Sequence, residues 1–299
     1  MFEKTHISRT RRGFLYQDKY ALLEILKYLE KGSLREAYVD ENYPPGNKSL
    51  DIKLILEGAE ELVYEVKTGD HFKGNVGGKK FKEVVLGLFD YCEDKQKNKV
   101  FLIINPLARG AILQLWVDLI SIREIENPVL MRGKKKRIDA LIKKYWDELG
   151  FKSIGVKIKK FQDFICKINL EVGPDDEPDE HANFISDLDN KIEYEIRKFA
   201  IKFSIKDSGS VQVPYSSISN ELLSIIQLTS AGGVADLKKA IGKRLANCLA
   251  RRSVLAGQNI EGNMEKKVNE KTEEMQELIL GERTEKTLSA NQSDVTVIN

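Results

Sequence analysis

Three ionisable residues with complementary chemistry lie in one stretch of strongly alternating apolar sequence. Residues 50–67 read LDIKLILEGAEELVYEVK and contain Asp51, Glu65 and Lys67. Two carboxylates and an ammonium are costly on an otherwise apolar surface unless they interact with one another. A divalent cation held between the carboxylates would offset this cost. Our hypothesis from these residues is a metal-dependent nuclease centre.

The same stretch is typical of a β-hairpin with a turn near Gly58. Side chains two positions apart on a strand share a face, so Glu65 and Lys67 lie on one side of the second strand. A turn centred on Gly58 or Ala59 pairs Asp51 with Glu65 or with Lys67. Residues directly opposite each other face the same way, so both registers place the three ionisable side chains on one side of the sheet.

A helix is predicted over residues 16–31, where apolar side chains recur at helical spacing. Gln17 and Glu24 lie seven residues apart and therefore share nearly the same helix face. If this helix packs beside the hairpin, both side chains can point toward Asp51 and Glu65. An ordinary solvent-exposed glutamate is the alternative interpretation of Glu24.

The order of the elements predicts an α/β fold with a mixed sheet flanked by helices. A strand at 36–42 precedes the hairpin, and a helix at 81–92 and an apolar strand at 99–105 follow it. We expect three regions: an α/β domain at 1–125, a mainly helical domain at 126–258 and a polar tail at 259–299. Part of this tail has heptad-like spacing, which fits either a helix that docks on a partner or a frayed terminus; we favour the frayed terminus.

Two groups of basic residues are candidates for nucleic-acid contacts. Arg11 and Arg12 lie in a basic N-terminal arm, which either touches phosphates or is a solvated terminus. Lys73, Lys79 and Lys80 lie in and just after a glycine-rich segment, which either cradles a phosphate backbone or is an ordinary surface loop.

The composition restricts the classes of function. The chain has 299 residues and a net charge of only +2, so any contact with nucleic acid must come from local patches. Three widely spaced cysteines argue against a disulfide framework or a zinc site and suit a reducing cytoplasm. No P-loop motif is present, the N-terminus lacks the apolar region of a signal peptide, and no apolar run is long enough to span a bilayer.

Taken together, these motifs resemble the PD-(D/E)xK nuclease superfamily, with Asp51, Glu65 and Lys67 in the motif positions. More narrowly, GFLYQDKYALLEIL followed by LDIKL and VYEVKTGD is similar to the double-stranded-DNA endonuclease module of bacterial antiphage effectors. Such modules stand at the N-terminus of cyclic-oligonucleotide-activated effectors or accompany HerA-type ATPases. The resemblance covers residues 8–105. The chain departs from the usual motif at Leu50, where the family commonly has a proline before the acid.

The resemblance implies a restriction-endonuclease-like sheet and a Mg²⁺ site, with Mn²⁺ as a substitute. Asp51, Glu65 and the carbonyl of Val66 would bind the metal through hard oxygen ligands, and Glu24 would add an outer carboxylate. The metal would activate a water molecule and neutralise charge on the scissile phosphate.

The resemblance also implies catalytic roles for two further side chains. Lys67 would orient the water or stabilise negative charge that develops on the phosphate. Gln17 would fix the helix and the water against the site.

The function expected from this resemblance is endonucleolytic cleavage of double-stranded DNA in antiphage defence. Self-assembly into a homo-oligomer or a HerA-like ATPase ring would activate the chain, and the helical region at 126–258 would supply the surface for oligomers or partners. The alternative is a catalytically degenerate subunit that binds DNA or acts as a scaffold in a defence complex.

Overall fold

Five strands form a single mixed sheet in the order β1-β2-β3-β4-β5 in a computed structural model of the chain. Strands β2 and β3 are antiparallel, whereas β3 pairs with β4, and β4 with β5, in parallel. The strands are β1 Leu34–Tyr43, β2 Lys48–Leu56, β3 Glu61–Lys67, β4 Asn98–Ile104 and β5 Ile168–Val172.

The structure describes residues 3–43, 48–67, 79–93, 98–104, 117–118, 135–172, 181–206, 213–234, 236–257 and 262–281. Most of the described residues are helical, so the fold is α/β with a predominance of helix. The helices of these segments are α1 Glu3–Glu30, α2 Lys79–Glu93, α3 Lys135–Glu148, α4 Ile158–Lys167, α5 His181–Lys202, α6 Tyr215–Ser230, α7 Leu237–Ala256 and α8 Met264–Leu280. None of the helices in these segments is long and apolar enough to cross a membrane.

The predicted hairpin is confirmed as β2 and β3. Ile52 pairs with Tyr64, so the register is centred on Gly58. Gly58 has φ 82° and Ala59 has φ 61°, and two successive left-handed residues reverse the chain tightly. Only Ala59 carries a steric cost for this conformation, because glycine has no Cβ.

One face of the sheet is covered by α2, α3 and α4. Phe89 and Phe151 meet edge to face with ring centroids 5.0 Å apart, an arrangement that aromatic pairs favour. The core on this face draws buried residues from four strands and three helices, among them Leu50, Val63, Val100, Leu102, Ile168, Phe81, Val85, Phe89, Ile142, Tyr145, Phe161 and Phe164.

The chain divides into two compact units. The first contains Met1–Gln17 and Val39–His181, and the second contains Asp18–Tyr38 and Ala182–Asn299. The first unit thus extends beyond the boundary expected at residue 125, because β5 pairs with β4 and completes the sheet. A strand that joins a sheet from far along the chain has no signature in the local sequence.

Two other segments differ from the sequence-based expectations. Helix α1 begins at Glu3, not near residue 16, so Arg11 and Arg12 are helical rather than part of an irregular arm. Of residues 105–134, the structure describes only Val117 and Asp118, which are helical. The tail expected at 259–299 contains α8, whose Met275 and Ile279 are buried. Burial of this apolar side supplies stability that the isolated segment would lack.

Candidate active site

The register of the hairpin brings Asp51, Glu65 and Lys67 together, as the alternation predicts. Lys67 Nζ lies 2.8 Å from Asp51 Oδ2 and also contacts Glu65 Oε2. Asp51 and Glu65 are the next positions beyond the Ile52–Tyr64 pair, on the face that α2, α3 and α4 cover. The trio therefore lies beside the apolar core, where water screens charges poorly.

The backbone of Val66 is held from two directions. Its N–H donates a 2.7 Å hydrogen bond to Asp51 Oδ2, and its carbonyl accepts a 2.8 Å hydrogen bond from Gln17 Nε2. Val66 lies between Glu65 and Lys67, so these two bonds fix the strand segment that carries both side chains. Gln17 thus positions the site through the backbone of Val66, from the helix that precedes the sheet in the sequence.

Burial changes the acid–base properties of the two carboxyls. Asp51 is 7% exposed and Glu65 is 9% exposed. Burial, reinforced by the adjacent charge of Asp51, raises the pKa of Glu65 to about 8. Without a bound cation, the Glu65 carboxyl is therefore neutral near neutral pH.

The surroundings of Lys67 favour its charged form, whereas those of Glu65 favour the neutral form. Burial by itself would lower the pKa of Lys67, but the adjacent carboxyls of Glu65 and Asp51 outweigh this effect and raise it. Lys67 therefore keeps its positive charge at physiological pH. A fixed positive charge with three donors, next to two carboxyls, can bind or stabilise an anionic oxygen.

The donor set fits a hard divalent cation. Glu65 Oε2 is buried and has no donor in hydrogen-bond geometry, although the Lys67 ammonium lies within ion-pair distance of it. A cation would satisfy this oxygen and stabilise the ionised form of Glu65, which burial and the adjacent charge of Asp51 disfavour. Within the described ranges, no group of three or more Asp, Glu, His or Cys side chains could hold a metal ion. The remaining ligands would be water and carbonyl oxygens such as that of Val66, and Mg²⁺ commonly binds proteins through only one or two carboxylates.

Glu24 does not have the exposed environment of an ordinary surface glutamate. It is only 5% exposed, lies in the second compact unit and pairs with Lys27 Nζ at 2.5 Å. The solvent-exposed interpretation is therefore wrong, whereas its role toward a metal stays a prediction.

For the basic residues proposed to contact nucleic acid, the structure describes the backbone of four and does not describe the fifth. Arg11 and Arg12 lie within α1, and Lys79 and Lys80 form the start of α2. Lys73 lies outside the described residues.

The topology orients α2 relative to the site. Because β3 and β4 are parallel neighbours, the helix that connects them must run back along the sheet. Tyr91, near the end of α2, donates a 2.7 Å hydrogen bond to Glu61 Oε2 at the start of β3. The first turn of α2, with Lys79 and Lys80, therefore lies toward the end of β3 that carries Lys67.

Two contacts of the site had no signal in the sequence. The alternation assigns Val66 to the face opposite Asp51, and it carries no information about the backbone N–H that Asp51 binds. Similarly, helix periodicity does not report that Tyr91 anchors α2 on Glu61.

Comparisons with protein-family models, curated proteins and solved structures find no significant match to this chain.

Proposed function

We propose that this chain is a metal-dependent endonuclease that hydrolyses phosphodiester bonds of double-stranded DNA. One observation carries the proposal: the ammonium of Lys67 contacts the carboxyls of both Asp51 and Glu65 on one face of the sheet. A buried pair of acids with an adjacent lysine suits hydrolysis of an anionic ester, because a metal and an ammonium can both offset the charge of the phosphate.

The proposal includes a restriction-endonuclease-like fold. Its support is the mixed sheet, in which an antiparallel hairpin carries the acids and a helical crossover leads to a parallel strand. The same elements carry the sequence resemblance to PD-(D/E)xK nucleases.

Asp51 and Glu65 would bind Mg²⁺, or Mn²⁺ in its place, together with the carbonyl oxygen of Val66. A bound metal would supply an activated water molecule and neutralise charge on the scissile phosphate. Gln17 uses one acceptor position of the Val66 carbonyl, and a second lone pair remains. Glu24 would act on the metal from outside its immediate ligands.

Lys67 would act on the phosphate or on the attacking water. Its positive charge persists near neutral pH because both neighbouring carboxyls raise its pKa. When Glu65 ionises, the ammonium faces a second carboxylate, which holds it in place beside the reacting group. Gln17 would keep this geometry by restraining Val66, so it positions the candidate catalytic side chains rather than reacting itself.

The DNA backbone would contact basic residues around the site. The first turn of α2 favours Lys79 and Lys80 for this role, because it lies toward the end of β3 that carries Lys67. A helix N-terminus also presents backbone N–H groups to a phosphate. Lys73, Arg11 and Arg12 would extend the same contact in our proposal.

Cleavage of a supercoiled plasmid in the presence of Mg²⁺ tests the assignment. We expect Glu65→Ala and Lys67→Ala to abolish nicking and linearisation. Lys99→Ala is a matched control, because Lys99 forms an exposed 2.6 Å ion pair with Glu60 on the same sheet. Wild-type cleavage that persists in both site variants would overturn the catalytic assignment.

A second candidate is a degenerate subunit that binds DNA or serves as a scaffold. The observation that favours it is the lack of a third acidic or histidine ligand at the site within the described residues. Under this alternative the wild type binds plasmid DNA and lowers its mobility in a gel-shift assay. It does not cleave the plasmid with Mg²⁺ or with Mn²⁺. Glu65→Ala would then leave DNA binding in this assay unchanged.

The proposed biological role is antiphage defence, with activation by self-assembly or by a HerA-like ATPase ring. Support comes from the sequence resemblance and from the lack of a P-loop motif in the chain itself. If the purified chain is inactive alone, addition of a candidate ATPase should restore cleavage. Native mass spectrometry of the mixture would report a joint assembly.

A further inference from the structure

The segment that contains α3 and α4 concentrates positive charge. Residues 135–167 include ten Lys or Arg and four Asp or Glu, so their formal charge of +6 exceeds the +2 of the whole chain. The rest of the chain is therefore net acidic, and this segment attracts a polyanion more strongly than the whole chain does. Four exposed lysines, which we call the lysine ridge, lie in the turn before α4 and at its start: Lys152, Lys157, Lys159 and Lys160.

The acids of this segment compensate the lysine ridge only weakly. Asp147 lies 3.7 Å from Lys152, but both side chains are more than half exposed, so this ion pair contributes little. The first turn of α4 contains no acidic residue, and Asp163 follows in the second turn. The other two acids, Asp139 and Glu148, belong to α3. Lysines placed this close together repel one another, and a bound anion would offset that repulsion.

The lysine ridge lies toward the end of the sheet that carries Lys67. β5 follows α4 without a loop and is parallel to β4, so Val172 at its end lies level with Ile104 and Lys67. Phe161 and Phe164 of α4 are buried in the core over the sheet, so α4 runs back along the strands from the start of β5. The start of α4, with its lysines, therefore lies toward the same end of the sheet as the candidate site.

Two contacts place the turn before α4 beside α2, whose first turn lies toward the same end of the sheet. A Cβ at Gly150 would lie 3.9 Å from the side chain of Lys82 in α2. The next residue, Phe151, meets Phe89 of α2 with ring centroids 5.0 Å apart. The first acid of α2, Glu83, follows three lysines. The lysine ridge and the basic start of α2 are therefore neighbours on the face of the sheet that carries the candidate site.

We propose that the lysine ridge binds the phosphate backbone of double-stranded DNA beside the candidate site. This inference rests on the proposed function, which makes DNA the substrate. Two strand spacings, roughly 10 Å, separate β5 from β3. Phosphates repeat about every 3.4 Å along each strand of a duplex, so the ridge would contact DNA a few base pairs from the scissile phosphate. Such contacts fix the position of the duplex without reading its sequence.

Double-stranded DNA fits this surface better than an anionic membrane does. A helix that lies on a membrane inserts a broad apolar face, commonly with Trp, Phe or Leu. In α4 that face is buried against the core through Phe161, Phe164 and Ile165. Ile154 and Ile158 are exposed among the lysines, but these two side chains offer much less apolar area than such a face. The lysines suit phosphates that repeat along a duplex.

Fluorescence anisotropy of a labelled DNA duplex with the full chain in EDTA tests the ridge, because the duplex is then bound without metal-dependent cleavage. A triple variant with Lys157→Ala, Lys159→Ala and Lys160→Ala should raise the Kd about tenfold. The slope of log Kd against log salt concentration should fall by about 2–3, because each lost phosphate contact removes about 0.9. The same three positions changed to Arg keep the charge and should retain wild-type affinity.

A second triple variant is the matched control. Lys243→Ala, Lys266→Ala and Lys267→Ala change the net charge identically at exposed positions of the second unit. This control should keep the wild-type Kd and salt slope. Thermal unfolding of each variant verifies that the chain is still folded, as expected for substitutions of exposed side chains.

Four outcomes would overturn the proposal. The wild type could fail to bind the duplex, or the ridge variant could bind it with wild-type affinity and salt slope. The control variant could lose as much affinity as the ridge variant, which indicates general attraction by net charge. The ridge lysines could instead be needed for binding to vesicles that contain phosphatidylserine, with no effect on binding to the duplex.

The plasmid assay separates failure of this inference from failure of the proposed function. If the wild type does not cleave plasmid but the ridge variant binds the duplex more weakly, the catalytic proposal fails and the role of the ridge stands. If the wild type cleaves plasmid and the ridge variant binds as tightly as wild type, the ridge proposal fails and the catalytic proposal stands.

Discussion

Gln17 on α1 donates a 2.8 Å hydrogen bond to the carbonyl of Val66, the residue between Glu65 and Lys67. The two residues are 49 positions apart in the chain. Helix α1, which precedes the sheet in the sequence, thus restrains β3, the strand that carries Glu65 and Lys67. Loss of this restraint should affect catalysis more than overall stability, and this distinction can be measured.

We expect Gln17→Ala to lower the free energy of unfolding by only about 1 kcal/mol, the usual contribution of one hydrogen bond. The rate of plasmid cleavage should fall by more than this loss of stability would cause. The reason is that Glu65 and Lys67 lose the hydrogen bond that restrains the strand between them. Urea unfolding and initial cleavage rates provide the two measurements. Gln227→Ala, at an exposed position of α6, is the control. Equal effects of both substitutions on cleavage would contradict the positioning role.

The stability of the metal-free protein should depend on pH through Glu65. Its pKa is about 8 in the folded protein and about 4.5 in the unfolded chain. Between these values the folded protein keeps a proton that the unfolded chain releases, so the Glu65 contribution to stability falls as pH rises through this window. This contribution is complete below the lower value and is lost above the higher one.

Chemical unfolding in the presence of EDTA at several pH values measures this effect. The stability of Glu65→Gln relative to wild type should rise from acidic to mildly alkaline pH, because the amide cannot ionise. Glu57→Gln, in the exposed turn of the hairpin, separates this effect from a general change in net charge. Parallel pH profiles for wild type and Glu65→Gln would show that Glu65 ionises normally.

Addition of Mg²⁺ near neutral pH should release a proton. The metal requires an ionised Glu65, and this carboxyl is neutral in the metal-free site, so binding should displace about one proton per ion. Isothermal titration calorimetry in two buffers of different ionisation enthalpy measures this release. It should disappear in Glu65→Gln and at pH values well above 8, the pKa of Glu65. Metal binding without proton release near neutral pH would place the ion elsewhere.

Gly242→Ala should destabilise the second unit by about 1–3 kcal/mol, because the added methyl group overpacks the contact between α7 and α8. Leu280 would have to move, since its side chain occupies the space beside Gly242. A second substitution, Leu280→Ala, should recover part of the loss caused by Gly242→Ala. Thermal unfolding of the full chain measures both effects.

Gly257→Ala is the matched control for this packing prediction. An added Cβ at Gly257 would meet only backbone oxygens, at 3.6 and 3.7 Å, and its φ of −83° suits alanine. Equal destabilisation by the two glycine substitutions would contradict a specific close approach at Gly242.

Much of the candidate site could be predicted because its geometry is local. In a hairpin, a side-chain period of two and a turn at Gly58 together determine which residues face each other. The shared face of Asp51, Glu65 and Lys67 therefore follows from residues 50–67 without further information. Helix spacing likewise indicated that Gln17 lies on a helix able to reach the hairpin, although the exact acceptor was not predictable.

The sequence by itself determined the hairpin, the convergence of its three ionisable side chains and the α/β class, because alternation and helical periodicity are properties of neighbouring residues. Only the tertiary structure decided that β5 completes the sheet, that Glu24 is buried beside Lys27 and that α8 is a helix packed on Gly242. It also decided that Glu65 holds its proton near neutral pH. These features depend on burial and on contacts between distant segments, and the free energies of burial and charge interaction are set by the surroundings rather than by the residue itself.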